Sequence, residues 1–359
     1  MSSRSYRLKV AAAAGIGLAV VGLACLAVLA GFPPVADCVA HSRNPYRFRD
    51  WRRYVEGRRN VGDAGVVVLI SDSQGYAGEY LAWRSYAARL EGLLNERRTG
   101  GMDRWEVLNL SIDGVTPMEY MALAADLQDF SPTWLISVSG SADYRAENID
   151  KGFAYPRTDL PQLLTELRLA RRLPRAFWRR HGKVEDTLTA WMGRWMPLLR
   201  FRDFLWSWLD TRFPGAQKAF YAPRTTYRFW QLPGKALSHP VPDPIPDKTQ
   251  GRLDLTYNEV SAVMLREFLE MLATIPARHR LVAAAPLKSD FSDSHEGAWI
   301  EVFRRDLERM TGELGLPYRD LTHALPPDGF ITSNHLHDRN HRRMAELLAD
   351  HIAAEMENP

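Results

Sequence analysis

A serine that acts as a nucleophile needs a base within reach of its proton and backbone donors facing the charge that develops. The stretch Ser71-Asp72-Ser73-Gln74-Gly75 offers such a serine, directly after an apolar strand-length run and before a helical one. There Ser73 sits where the N–H groups of the oncoming turn point at whatever binds. Asp and Ser are also ordinary helix N-cap residues, so taken alone the stretch reads equally well as a cap. Asn109-Leu110-Ser111-Ile112-Asp113-Gly114-Val115-Thr116 and Ser139-Gly140-Ser141-Ala142-Asp143 follow two further apolar runs. Gly114 lets the backbone approach a ligand closely. Late in the chain, Asn334-His335-Leu336-His337-Asp338-Arg339-Asn340-His341 leads into a last helical stretch. His335 there can take the Ser73 proton, the pairing that acyl transfer requires. His337 and His341 stand four apart and can in principle join His335 around a metal. No carboxylate or cysteine completes the ligand set, so both are read as surface residues, and neither a metal nor a cofactor is expected.

The elements that must position these stretches alternate along the chain. Strands are expected at Val66 to Ile70, Trp105 to Ile112, Trp134 to Ser139, Arg280 to Pro286 and Tyr318 to Leu321. Helices are expected near Tyr80 to Arg98, Pro117 to Phe130, Tyr257 to Ala273, His295 to Leu314 and after Asp338. Strands that alternate with amphipathic helices build a parallel sheet covered on both faces, a three-layer α/β/α sandwich. Right-handed crossovers then bring every strand C-terminus, and each stretch named above, to one edge.

Residues 151–253 break the rhythm. They carry a net charge of +11 and Trp178, Trp191, Trp195, Trp206, Trp208 and Trp230, and they end in a Pro-rich loop from Pro240 to Pro246. This reads as a basic, mainly helical insertion. Its Trp191 to Phe213 part suits equally a membrane interface or a cap over the site.

The N-terminus speaks to location. Val10 to Phe32 is an uncharged run of small and aliphatic residues, long enough as a helix to cross a bilayer. Arg4, Arg7 and Lys9 precede it, which keeps residues 1–9 cytoplasmic and puts the rest outside. The alternative is a cleaved signal peptide, whose apolar region would be unusually long. The expected organisation is therefore a cytoplasmic N-terminus (1–9), a transmembrane anchor (10–32), a juxtamembrane segment (33–60) and one α/β domain (61–359). The two cysteines, Cys25 and Cys38, lie in or beside the apolar run, so the domain holds no internal disulfide. A formal charge of +3 without any nucleic-acid motif argues against a nucleic-acid partner.

In this order, the four stretches resemble the blocks of the SGNH (GDSL-like) hydrolase family: Gly-Asp-Ser, Asn-x-x-x-x-Gly-x-Thr, Gly-x-Asn-Asp and Asp-x-x-His-Leu. The resemblance spans the domain from Val66 onward, apart from the insertion. It implies a flavodoxin-like fold with a five-stranded sheet, Ser73 as nucleophile and His335 as general base. It also implies an oxyanion hole from the Ser73 and Gly114 backbones. Three positions depart from the pattern. Ser71 replaces the first glycine. Ala142 replaces the oxyanion-hole asparagine and retains only its backbone donor. Thr332 replaces the aspartate that orients the histidine. Asp328, in the same loop, is the candidate to approach His335, and Asp143 or Tyr144 to fill the space at Ala142.

An outward-facing domain of this type on a membrane anchor resembles the accessory proteins of glycan O-acylation. The resemblance implies a periplasmic esterase or O-acyltransferase that works on a polysaccharide through an acyl-serine, beside a membrane-bound O-acyltransferase. The departures at Ala142 and Thr332 motivate the alternative of a weakly active or inactive scaffold in an envelope assembly. A lipid esterase is a third reading.

Overall fold

The computed structural model describes residues 15–17, 20, 22, 64–76, 84–111, 115–151, 171–180, 257–288, 297–331 and 334–357. Five strands form one sheet: β1 (Ala64–Ser71), β2 (Arg104–Asn109), β3 (Trp134–Ser139), β4 (His279–Ala284) and β5 (Tyr318–Asp320). All pairings are parallel and the order is β2-β1-β3-β4-β5. The long helices are α1 (Tyr86–Glu96), α2 (Pro117–Leu127), α3 (Glu259–Thr274), α4 (Gly297–Glu313) and α5 (Asp338–Glu357). This is the doubly wound order, whose reversal point lies between the first and third strands.

Side-chain alternation on the strands divides the interior in two. Val66, Val68 and Ile70 of β1, with Leu135 and Val282, join residues of α2, α3 and α4 in one apolar cluster. Val67, Leu69, Ile136, Val138 and Leu281 join residues of α1 and α5 in another. Both faces of the sheet are therefore dry, as expected for strands that read as unbroken apolar runs.

The strands lie close to their expected positions, and the differences have local causes. β2 stops at Asn109 rather than Ile112, because the Asn109 side chain accepts from Ser111 N (3.2 Å) and donates to Gly75 O (2.8 Å), bending the chain off the sheet. α1 begins at Tyr86 behind the Ser85 cap, whose Oγ accepts from Ala88 N at 3.2 Å. Shortly after α1 ends, Arg98 takes a left-handed conformation (φ 48°). α2 starts with a capping box in which Thr116 N donates to Glu119 Oε2 at 2.8 Å, with Pro117 in its first turn.

The outer strand β2 is sealed by side chains of α1. Asn95 accepts from Trp105 N (2.8 Å) and donates to Trp105 O (2.9 Å), and Glu91 accepts from Val107 N (2.8 Å).

No helix of the described residues is long and apolar enough to cross a membrane. Most of the proposed anchor lies outside the described residues, as does the insertion except 151 and 171–180.

Candidate active site

Ser73 opens a short helix, Ser73–Tyr76, immediately beyond the C-terminus of β1. Asp72 caps that turn, its Oδ1 accepting from Gln74 N at 2.9 Å. Gln74 reaches across to donate to Pro286 O at 2.9 Å, which ties the turn to the chain after β4. A Cβ at Gly75 would lie 2.1 Å from Ser111 Oγ and 2.8 Å from Ser71 Cβ, so only glycine lets the turn settle against the end of β2. Beneath it, Tyr86 at the start of α1 donates to Ser71 Oγ at 2.9 Å.

His335 comes from the loop between β5 and α5. Ile331 N donates to His335 O (2.7 Å), His337 N donates to Gly329 O (2.7 Å), and Phe330 and Leu336 form an isolated antiparallel bridge. Gly329 lies so close to Asn340 that an added Cβ would fall 2.1 Å from its Oδ1. Asn340 also donates to Pro326 O at 3.1 Å, pinning the loop to the first turn of α5. Asp338 pairs with Arg89 of α1 at 2.8 Å, so the loop is braced against the helix that follows the serine turn.

The structure brings Ser73 and His335 together: Ser73 Oγ lies 3.0 Å from His335 Nε2. Both are partly exposed, so a ligand can reach the pair. A serine and an imidazole at this distance can exchange a proton directly.

The other expected residues divide. Gly114 and Thr332 lie outside the described residues. Ala142 stands in a 3-10 turn after β3, Ser141–Tyr144, and its carbonyl accepts from Arg145 Nε (2.8 Å) and Asn148 Nδ2 (2.7 Å). Asp328 turns its carboxylate to Arg339 at 2.6 Å, with 70% of its side chain exposed. Asp143 and Tyr144, the candidates for the space at Ala142, are both buried. Asp143 Oδ2 accepts from Tyr120 Oη (2.8 Å) and Gly140 N (3.1 Å), and Tyr144 is fully buried among Tyr120 and Phe303. His341, expected at the surface, is 1% exposed and stacks with Tyr86, because its position on α5 faces α1. The described residues hold no group of three metal-ligating side chains.

Sequence reasoning missed the braces: Arg89, Gln74 and Asn340. Gln74 and Asn340 were within motifs already read. Arg89 carried no signal, since a basic residue on an amphipathic helix is ordinarily solvated.

The described residues thus form a parallel α/β sandwich with a serine–histidine pair at the carboxyl edge of its sheet. No family model matches the chain, and no curated protein matches it. Among solved structures, it is similar to an α/β hydrolase from the metagenome of Lake Arreo, Spain, at 12% identity (80% of this chain and 96% of that chain, TM-score 0.41). An acetylxylan esterase from Geobacillus stearothermophilus stands at 12% identity (81% and 95%, TM-score 0.41). A carbohydrate acetylesterase from Sinorhizobium meliloti stands at 11% identity (81% and 99%, TM-score 0.38).

Proposed function

We propose that this chain is an acyl esterase or O-acyltransferase that works through an acyl-serine at Ser73. The observation that carries the reading is the 3.0 Å contact between Ser73 Oγ and His335 Nε2. In the proposed reaction His335 takes the Ser73 proton as Oγ attacks the ester carbonyl. The collapsing intermediate expels the alcohol, which receives that proton from His335. Water or a sugar hydroxyl then attacks the acyl-serine, and the same imidazole handles the second proton. Backbone N–H groups at Ser73, Gly114 and Ala142 are the proposed oxyanion donors.

A glycan substrate, outward orientation and a membrane-bound acyltransferase partner complete the proposal. Their support is the apolar run Val10 to Phe32 behind Arg4, Arg7 and Lys9, together with the block order. The test is stoichiometric labelling of Ser73 by a fluorophosphonate, with ester hydrolysis and glycan acylation assayed in wild type and Ser73→Ala. Loss of both labelling and turnover in the variant is expected; turnover unchanged by the substitution removes the reading.

The second reading, a scaffold with a vestigial site, draws support from Ala142, which has no side-chain donor, and from Asp328, which is engaged by Arg339. Failure of wild-type Ser73 to react with the fluorophosphonate favours the scaffold.

A further inference from the structure

At the amino ends of β3 and β4, the opposite edge of the sheet from Ser73, lies a cleft of about 320 Å³ that the proposed reaction does not use. Its walls come from several elements. Trp134 opens β3, His279 and Arg280 open β4 with Arg278 just before them, His351 and Glu355 stand four apart on α5, and the turn after α4 supplies residues 314–317. The strand register sets Trp134 directly beside His279. Their rings stack at 4.8 Å, and His351 meets the indole edge-on at 5.7 Å. Trp134 is 1% exposed.

Four nitrogens of these wall residues are buried without a hydrogen-bond partner among the described residues: Trp134 Nε1, His279 Nε2, Arg280 Nε and His351 Nε2. A buried polar group left in that state is costly, and its position calls for a partner. Indole and guanidinium nitrogens can only donate, so whatever completes them must accept. The carbonyls of the adjoining helix ends are already served. Arg280 Nη2 donates to Ile275 O beyond α3, and after α4 the amides of Leu314, Gly315 and Leu316 donate to the Met310, Gly312 and Thr311 carbonyls. The demand of the cleft is thus for acceptors. Arg278 and Arg280 set two positive charges there against one acid, Glu355, which acts on both imidazoles.

We propose that this cleft is a second binding site and that it takes a small oxyanion, a carboxylate or a phosphate group, held by the Arg278 and Arg280 guanidinium groups. A guanidinium presents paired N–H groups that match two oxygens of either anion. Arg280 is already tethered to Ile275 O, so it loses little freedom on binding. Each imidazole can turn a proton toward an anion by its choice of tautomer. The inference stands apart from the chemistry of Ser73, because none of the residues it uses touches that serine or His335.

The experiment titrates the full chain with inorganic phosphate and, separately, with acetate, at fixed pH and at an ionic strength held constant with chloride. The imidazole 1H–13C resonances of His279 and His351, assigned through His279→Gln and His351→Gln, are expected to move together and to saturate. Arg278→Met is expected to weaken the binding about tenfold, and Glu355→Gln to tighten it by removing the opposing charge. Arg280→Met is expected to weaken it as well. Since that change also removes the bond to Ile275 O and can unfold the chain, the exposed positions Arg278 and Glu355 decide without it. Saturation by one of the two anions alone supports the site and identifies which group it takes. No saturable movement with either anion, a titration that Arg278→Met leaves unchanged, or binding that Glu355→Gln weakens overturns the oxyanion site.

Discussion

Ser73 meets a histidine 262 positions later in the chain, and each partner is held by groups of its own. Replacing His335 by Asn removes the proton acceptor and leaves in place the loop bonds made by backbone atoms and by Asn340. Ester hydrolysis or fluorophosphonate labelling is expected to slow by about 10²- to 10⁴-fold, while the unfolding midpoint hardly moves. Ala142→Asn is the converse change, since it supplies a side-chain donor on the turn beside Gly140. Because loss of such a donor costs about 10²- to 10³-fold, its addition is expected to raise kcat with little effect on KM. Ser73 and His335 were legible because each sits in a short stretch with a recognisable strand or helix beside it. The inward turn of Asp143 was not, since its partner Tyr120 comes from another element and only the folded sheet brings the two together. The pairing of Asp328 with Arg339 was hidden likewise, being decided by the turn of α5 on which Arg339 falls.

At the scale of elements, the site depends on how α1 and α5 are locked to each other and to the sheet. Arg89 and Asp338 are partly buried, at 19% and 30% side-chain exposure. Breaking the pair by Arg89→Met or Asp338→Asn is expected to cost about 1 kcal/mol in denaturant unfolding. A double-mutant cycle should show the two losses to be one interaction, and turnover should fall more than stability, because the pair braces the His335 loop. Gly75→Ala is expected to be worse on both counts, since Ser111 Oγ occupies the space its methyl needs. The strands were readable from apolar runs such as Val66 to Ile70, which belong to a sheet buried on both faces. Helix ends were less so. Where α1 begins depends on Ser85 and where β2 ends depends on the bonds made by Asn109, neither of which apolar periodicity reports.

For the whole molecule, the opposite edge of the sheet sets a pH limit of its own. Trp134, at the start of β3, stacks on His279 at 4.8 Å and meets His351 edge-on at 5.7 Å. Burial lowers both imidazoles below the usual 6.5, helped by Arg278 at His279 and by Arg319 at His351 and opposed at both by Glu355. Since the unfolded chain binds these protons more readily, stability is full above 6.5 and is lost as pH falls toward the depressed values. The thermal midpoint is therefore expected to drop on acidification below that point. Substituting Gln at both positions should flatten the drop, and an equal drop in the double variant would rule the imidazoles out as its source.

The sealing of β2 by Asn95 and Glu91 bears on how these molecules behave in one another's company. A bare outer strand is a template on which a second chain can lay a strand of its own. Here the helix side chains occupy the Trp105 and Val107 amides, and the strand at the other border, Tyr318–Asp320, is only 3 residues long. Copies crowded together are thus denied the simplest route to strand-by-strand aggregation. Asn95→Ala reopens the Trp105 backbone, and light scattering that rises with protein concentration, before any loss of secondary structure, is the expected sign of that template at work.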